Sequence, residues 1–170
     1  MFELANVARP GVSEYISGSG ALSALDNRLE GFKTPLIVTG EKSYAAFTKF
    51  YKGNREFRVA KYDGSASFED MQRIADEFGE GVDVVLGVGG GRVIDTAKGV
   101  AQNLNVEYMT VPTVIATCAP YAPVAAVYHP DHTFREVAYF KRTAYACVAD
   151  LDLLLESRKE YFVAGIGDTL

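Results

Sequence analysis

The chain has 170 residues, 48% apolar and 23% charged, with a formal net charge of −5: the balance of one globular domain with a single sizeable core, not of a disordered segment. The acidic balance argues against a nucleic-acid or anionic-membrane partner, which would need a basic face, and no apolar run reaches the roughly 18 residues that span a bilayer. The only cysteines, Cys118 and Cys147, are widely spaced, as in a reducing cytoplasm, and with only His129 and His132 beside them they do not make a zinc site of nitrogen and sulfur ligands alone.

From the N-terminus, Met1-Phe2-Glu3-Leu4 lacks the basic-then-apolar pattern of an export signal. Residues 13–16 read as an edge strand and 21–29 as a helix. The apolar strand 36–39 precedes a helix from 42 to about 51, and a strand over 57–62 precedes a helix over 68–78 with Met71, Ile74, Ala75 and Phe78 on one face. Residues 82–88 form the most apolar strand, a helix over 92–104 leans on it, and 106–111 is a further strand. Such alternation predicts βαβ crossovers and a mostly parallel sheet flanked by helices. After Pro112 the texture changes. Residues 124–128 and 134–139 read as a β-hairpin joined by His129-Pro130-Asp131-His132-Thr133, 145–148 as a last strand, and 150 onward as helical with an interruption at Gly165-Ile166-Gly167.

The chemistry concentrates where the strand ending Leu86-Gly87-Val88 runs into Gly89-Gly90-Gly91-Arg92 and then a helix. Three glycines at a strand-to-helix turn let the backbone approach a ligand closely, and the helix N-terminus favours an anion such as a diphosphate. Tight packing alone is the competing reading. Asp95 and Lys98 follow three residues apart on one helical face, as cofactor contacts or as a solvated surface ion pair. The spacing is not Gly-x-Gly-x-x-Gly, so the ordinary dinucleotide fingerprint does not explain it.

Three ordered motifs carry a resemblance: Gly87-Val88-Gly89-Gly90-Gly91-Arg92-Val93-Ile94-Asp95-Thr96-Ala97-Lys98, Val111-Pro112-Thr113-Val114-Ile115-Ala116-Thr117-Cys118-Ala119-Pro120, and Ala164-Gly165-Ile166-Gly167-Asp168. Together they resemble the iron-containing, or group III, alcohol dehydrogenases, in the glycerol dehydrogenase-like and hydroxycarboxylate dehydrogenase-like branch. The resemblance implies a dehydroquinate synthase-like nucleotide-binding domain over residues 1–158, with an added hairpin, and the start of a C-terminal helical metal-binding domain over 159–170. It implies a cofactor site for NAD or NADP at Gly40, Gly89, Gly90, Gly91, Arg92, Asp95, Lys98, Thr113, Thr117 and Tyr128. Arg92 stands where the family usually has Lys, which keeps the charge but changes the contact geometry. Asp168 would supply one oxygen to a divalent zinc or iron ion whose histidine ligands come from the helical domain; read without the family, it would be a helix N-cap.

Two departures bear on specificity. Cys118 stands where glycerol dehydrogenases carry an Asp that holds a substrate hydroxyl. A thiol is a poor acceptor, so the Thr-Cys-Ala run looks more like the members that reduce small 2-oxo acids. After the strand 36–39, the acidic residue that favours NAD is replaced at about Gly40, with Glu41 and Lys42 next, which predicts tolerance of or preference for NADP. The expected activity of the longer enzyme is hydride transfer between NAD(P)(H) and a small alcohol, hydroxy acid or 2-oxo acid, in a homo-oligomer. A glycerol or polyol dehydrogenase and a non-catalytic nucleotide-binding or dimerising module are the alternatives; a dehydroquinate synthase-like lyase would need a glycine run that residues 118–126 lack.

Overall fold

The computed structural model describes residues 11–169, so the Met1–Leu4 reading and Leu170 lie outside the described residues. In chain order the elements are β1 (Glu14–Gly18), a 3₁₀ turn (Ala21–Ala24), α1 (Leu25–Arg28), β2 (Pro35–Thr39), α2 (Glu41–Phe50), β3 (Arg58–Lys61) and α3 (Phe68–Phe78). They continue with β4 (Val84–Gly89), α4 (Gly91–Leu104), β5 (Glu107–Pro112), β6 (Val124–Tyr128), β7 (Phe134–Tyr139), β8 (Ala146–Asp150), α5 (Leu151–Leu155) and α6 (Lys159–Thr169). Six strands form a sheet in the order β1-β8-β5-β4-β2-β3 with every pairing parallel, while β6 and β7 form a separate antiparallel hairpin. The mostly parallel sheet and the added hairpin are thus both present, and β1 is an edge strand as its composition predicts.

A parallel sheet covered on both faces needs strands apolar on both sides. In β2 and β4, Leu36, Val38 and Val85 meet α3 and α4 in one core cluster, while Ile37, Val84, Leu86 and Val88 meet Leu25, Phe47 and Leu153 in the other. All six residues of β4 are buried at the centre of the sheet.

Two expectations change. The predicted helix over 21–29 splits into the 3₁₀ turn and the four residues of α1. The chain enters it through Gly20 at φ 70° with no side-chain cap, and the Leu22 N–H is taken at 2.9 Å by Asp150 Oδ2. The predicted interruption at 165–167 does not occur, because α6 runs through it. Glycine serves there for space: a Cβ on Gly165 would lie 2.8 Å from the Ile115 carbonyl oxygen, so the helix can approach the loop after β5 closely. Asp168 is consequently in the last turn of a helix, not at an N-cap.

Candidate functional site

The chain runs from β2 outward to β3, then returns to the other side of β2 with β4 and continues to β5. Such a reversal leaves a crevice beyond the carboxyl ends of the two diverging strands, here β2 and β4. Thr39 Oγ1 ties those ends together by donating to the Val88 carbonyl at 2.8 Å. A cleft of about 1150 Å³ opens there. It is walled by the N-termini of α2 and α4, the loop after β5, the hairpin and the C-terminal segment with α6.

On the floor, Gly90 caps α4, and the first backbone donor inside the helix is Ile94, to Gly90 O at 3.0 Å. The N–H groups of Gly91, Arg92 and Val93 precede that bond, and all three residues line the cleft, so the positive end of α4 faces the space. The loop after β5 closes over the turn: Thr113 N–H donates to Gly89 O at 3.1 Å. A Cβ on Gly90 would lie 3.2 Å from Val114 Cγ2, and one on Gly91 3.0 Å from Thr117 Oγ1. The glycines thus let the loop after β5 pack directly onto the turn.

At the end of β2, Gly40 caps α2, and its N–H donates to Ser43 Oγ at 3.0 Å. The neighbouring Glu41 side chain is 84% exposed and pairs with Lys61 at 3.4 Å, while Lys42 lines the cleft. Tyr62 packs beneath Gly40, where a Cβ would come within 3.2 Å of its ring.

Arg92 is fixed on three sides. Its Nη1 donates to Gly64 O at 3.2 Å and meets His132 Nδ1 at 3.3 Å, and its guanidinium lies 4.2 Å from the centroid of the Tyr128 ring. The expected Tyr128 therefore meets the glycine turn through Arg92.

Asp95 and Lys98 are not a solvated pair, for they are 6% and 1% exposed. Lys98 Nζ lies 2.9 Å from Asp95 Oδ1 and donates to the Val124 carbonyl at 2.6 Å; Asp95 Oδ2 accepts from Ala126 N–H at 3.1 Å. The hairpin from residues 124–139 roofs this face of α4 and takes the pair out of water. Burial pushes the Asp95 carboxyl up and the Lys98 ammonium down, each partly offset by the other's charge. Asp95 lines the cleft, whereas Lys98 and Gly89 lie behind its wall.

The expected substrate and metal residues meet across 50 positions of sequence: Cys118 N–H donates to Asp168 Oδ2 at 2.8 Å. Cys118 is exposed, and its thiol is pushed up first by partial burial and then by the charge and hydrogen bond of Asp168. Among the described residues no three His, Cys, Asp or Glu side chains converge as ligands. His129 and His132 are exposed in the hairpin connection, where His132 faces Arg92. Asp168 offers one carboxylate, which by itself does not hold a divalent ion tightly. The residues described here do not fit a metal on their own.

Gly40, Gly90, Gly91, Arg92, Asp95, Thr113, Thr117, Cys118, Tyr128 and Asp168 all line the one cleft. Sequence reasoning missed Tyr62, His132, Ser157, Arg158 and Tyr161, which also line it or touch its Arg92. None of these lies in a glycine motif. The one available signal was for Tyr62, the last residue of the predicted strand 57–62.

A family model described as iron-containing alcohol dehydrogenase matches residues 12–152. The chain is 30% identical over 166 residues to a glycerol dehydrogenase of Thermotoga maritima, covering 92% of this chain and 44% of that protein. It is 36% identical over 109 residues to hydroxycarboxylate dehydrogenase A of Escherichia coli, covering 64% of this chain and 30% of that one. Its fold superposes on a probable glycerol dehydrogenase from Sinorhizobium meliloti with a TM-score of 0.86 at 27% identity, covering 96% of this chain and 46% of that structure. The chain spans less than half the length of each of these relatives.

Proposed function

We propose, from the premise that this chain belongs to the iron-containing alcohol dehydrogenase family, that its cleft binds NAD(P)(H) for an oxidoreductase acting on a small alcohol, hydroxy acid or 2-oxo acid. One observation carries this reading: the N-terminus of α4, with the N–H groups of Gly91, Arg92 and Val93 ahead of the first intrahelical bond, faces the cleft at the strand reversal, where a diphosphate would meet it. Gly90, Gly91 and the α4 N-terminus would hold the diphosphate, Arg92 would add a fixed positive charge, and Thr113 and Thr117 would flank the dinucleotide. The nicotinamide, when bound, supplies or accepts the hydride. Residues 1–158 would form the dinucleotide-binding domain and 159–170 the start of a helical domain that, in a longer homo-oligomeric protein, completes a metal site with Asp168.

The same reading extends to specificity. At the end of β2 the backbone of Gly40 presents no carboxylate, Glu41 pairs with Lys61 at 3.4 Å, and Lys42 adds a cation. Two lysines beside the single Glu41 carboxylate offset its repulsion of a 2′-phosphate, which supports NADP(H) use. The neutral thiol of Cys118 supports a 2-oxo acid over glycerol, because it is a poor acceptor for a polyol hydroxyl. Titrating NADH and NADPH into the chain, followed by nicotinamide fluorescence, should give saturable binding of both with NADPH at least as tight. No saturation with either overturns the cofactor reading, and a clear NADH advantage overturns the NADP assignment. For the longer enzyme, faster turnover of glycerol than of 2-oxobutyrate would remove the oxo-acid reading.

A further inference from the structure

We infer that the buried Asp95–Lys98 pair is a positioning device: it pins the β6–β7 hairpin against α4 so that Tyr128 and His132 hold Arg92 in the wall of the cleft. The inference rests on the cleft being a dinucleotide site. A two-stranded hairpin is marginal by itself, and among the described residues β6 pairs with β7 alone. The side of β6 turned away from β7 would leave backbone groups without a strand partner. The pair meets that need: Lys98 takes the Val124 carbonyl at 2.6 Å and Asp95 takes the Ala126 N–H at 3.1 Å.

Two residues further along the same strand, the Tyr128 ring lies under the Arg92 guanidinium, and the hairpin connection brings His132 Nδ1 to 3.3 Å from Arg92 Nη1. The Tyr128 N–H is itself anchored to Ala66 O at 3.2 Å, beside the Gly64 carbonyl that receives Arg92. Arg92 is thus clamped between a loop and a hairpin whose other end is tied to its own helix, one and two turns further on. Both Asp95 oxygens are engaged by protein groups and Lys98 is only 1% exposed, so the pair binds the hairpin whether or not a ligand is present. Burying an ion pair is costly compared with apolar residues of similar size, and apolar residues would also leave the Val124 carbonyl and the Ala126 N–H without these two bonds.

The test uses ADP-ribose, which carries the diphosphate without the nicotinamide, and calorimetric titration of the chain. Asp95→Leu with Lys98→Met keeps the core filled but drops both hairpin bonds, and should weaken ADP-ribose about tenfold, the order of one charge-assisted contact. Asp95→Asn with Lys98→Gln removes the charges but keeps an acceptor for Ala126 and a donor for Val124, and should retain the affinity to within about twofold. In an Arg92→Ala background the Leu/Met change should cost nothing more, because residues acting through one another are non-additive. If the Asn/Gln chain loses as much as the Leu/Met chain, or if the Arg92 and Leu/Met losses multiply, the inference is overturned. Should the Leu/Met chain not fold, Asp95→Asn with Lys98→Met leaves no buried charge, drops only the Val124 bond and should move affinity in the same direction. If the unmodified chain does not bind ADP-ribose, the cofactor reading fails, and the positioning role is then decided without ligand. In the Leu/Met or Asn/Met chain the Ala126 or Val124 region should exchange amide protons faster and the Arg92 Nε–H resonance should shift; no change in either refutes it.

Discussion

Gly87→Ala places a single methyl group where the sheet and α4 touch. Gly87 is in the centre of β4, flanked by β2 and β5, and its φ is not positive, so alanine meets no backbone strain there. A Cβ at this position would lie 2.8 Å from Ala97 Cβ and 3.3 Å from Ile94 Cα. Carbon atoms settle at roughly 3.5–4.0 Å, and neither contact is the free end of a flexible side chain, so α4 must shift by a fraction of an ångström to about one. Overpacking of this kind costs about 1–3 kcal/mol, offset by about 0.5–1 kcal/mol from the lower entropy of the unfolded alanine chain. A net loss of up to about 2.5 kcal/mol lowers Tm by up to about 10 °C in a chain of this size. Because α4 carries the glycine turn on its N-terminus, NADPH affinity should fall with it. Calorimetric melting and nicotinamide fluorescence titration measure the two effects. Adding Ala97→Gly removes the atom in collision, so the double variant should recover affinity even though a helical glycine costs about 1 kcal/mol of stability. An unchanged Tm and affinity in Gly87→Ala, or no recovery with Ala97→Gly, would refute the close-packing argument.

Cys118 is exposed and Cys147 buried, so alkylation by iodoacetamide reports on Cys118. Its raised thiol pKa should keep the reaction slower at pH 8 than for an unperturbed cysteine, the rate rising only as pH climbs into the thiolate range. Asp168→Asn removes the carboxylate's share of that rise and leaves the burial share, so the rate at pH 8 should increase; an unchanged or slower rate disproves the Asp168 contribution. Asp150, 2% exposed, accepts from Leu22 N–H at 2.9 Å and from Asp152 N–H at 3.0 Å, joining the first turns of the chain to α5. Asp150→Ala leaves those donors unpaired and should cost about 2–4 kcal/mol in urea unfolding; a loss under about 0.5 kcal/mol, the level of an ordinary surface change, would contradict it.

The β–α alternation was legible because each strand and most helices carry their period locally: residues 84–89 are apolar throughout, and α3 shows Met71, Ile74 and Ala75 on one face. The glycine turn was legible for the same reason, being a feature of adjacent residues. The break over 21–29 was not, because its cause is Asp150, far along the chain, taking the Leu22 N–H. Nor was the continuity of α6, where Gly165 answers to the Ile115 carbonyl and not to its own neighbours.

By itself, then, the sequence determined the parallel α/β sheet and the positions of the phosphate-type turn, since backbone permissiveness and apolar period are set within a few residues. Tertiary structure alone decided that Asp95 and Lys98 are buried under the hairpin, that Arg92 is held by Tyr128 and His132, and that Cys118 meets Asp168. Burial, and with it the strength and role of a charge, depends on which distant segment covers it, and no local pattern carries that information.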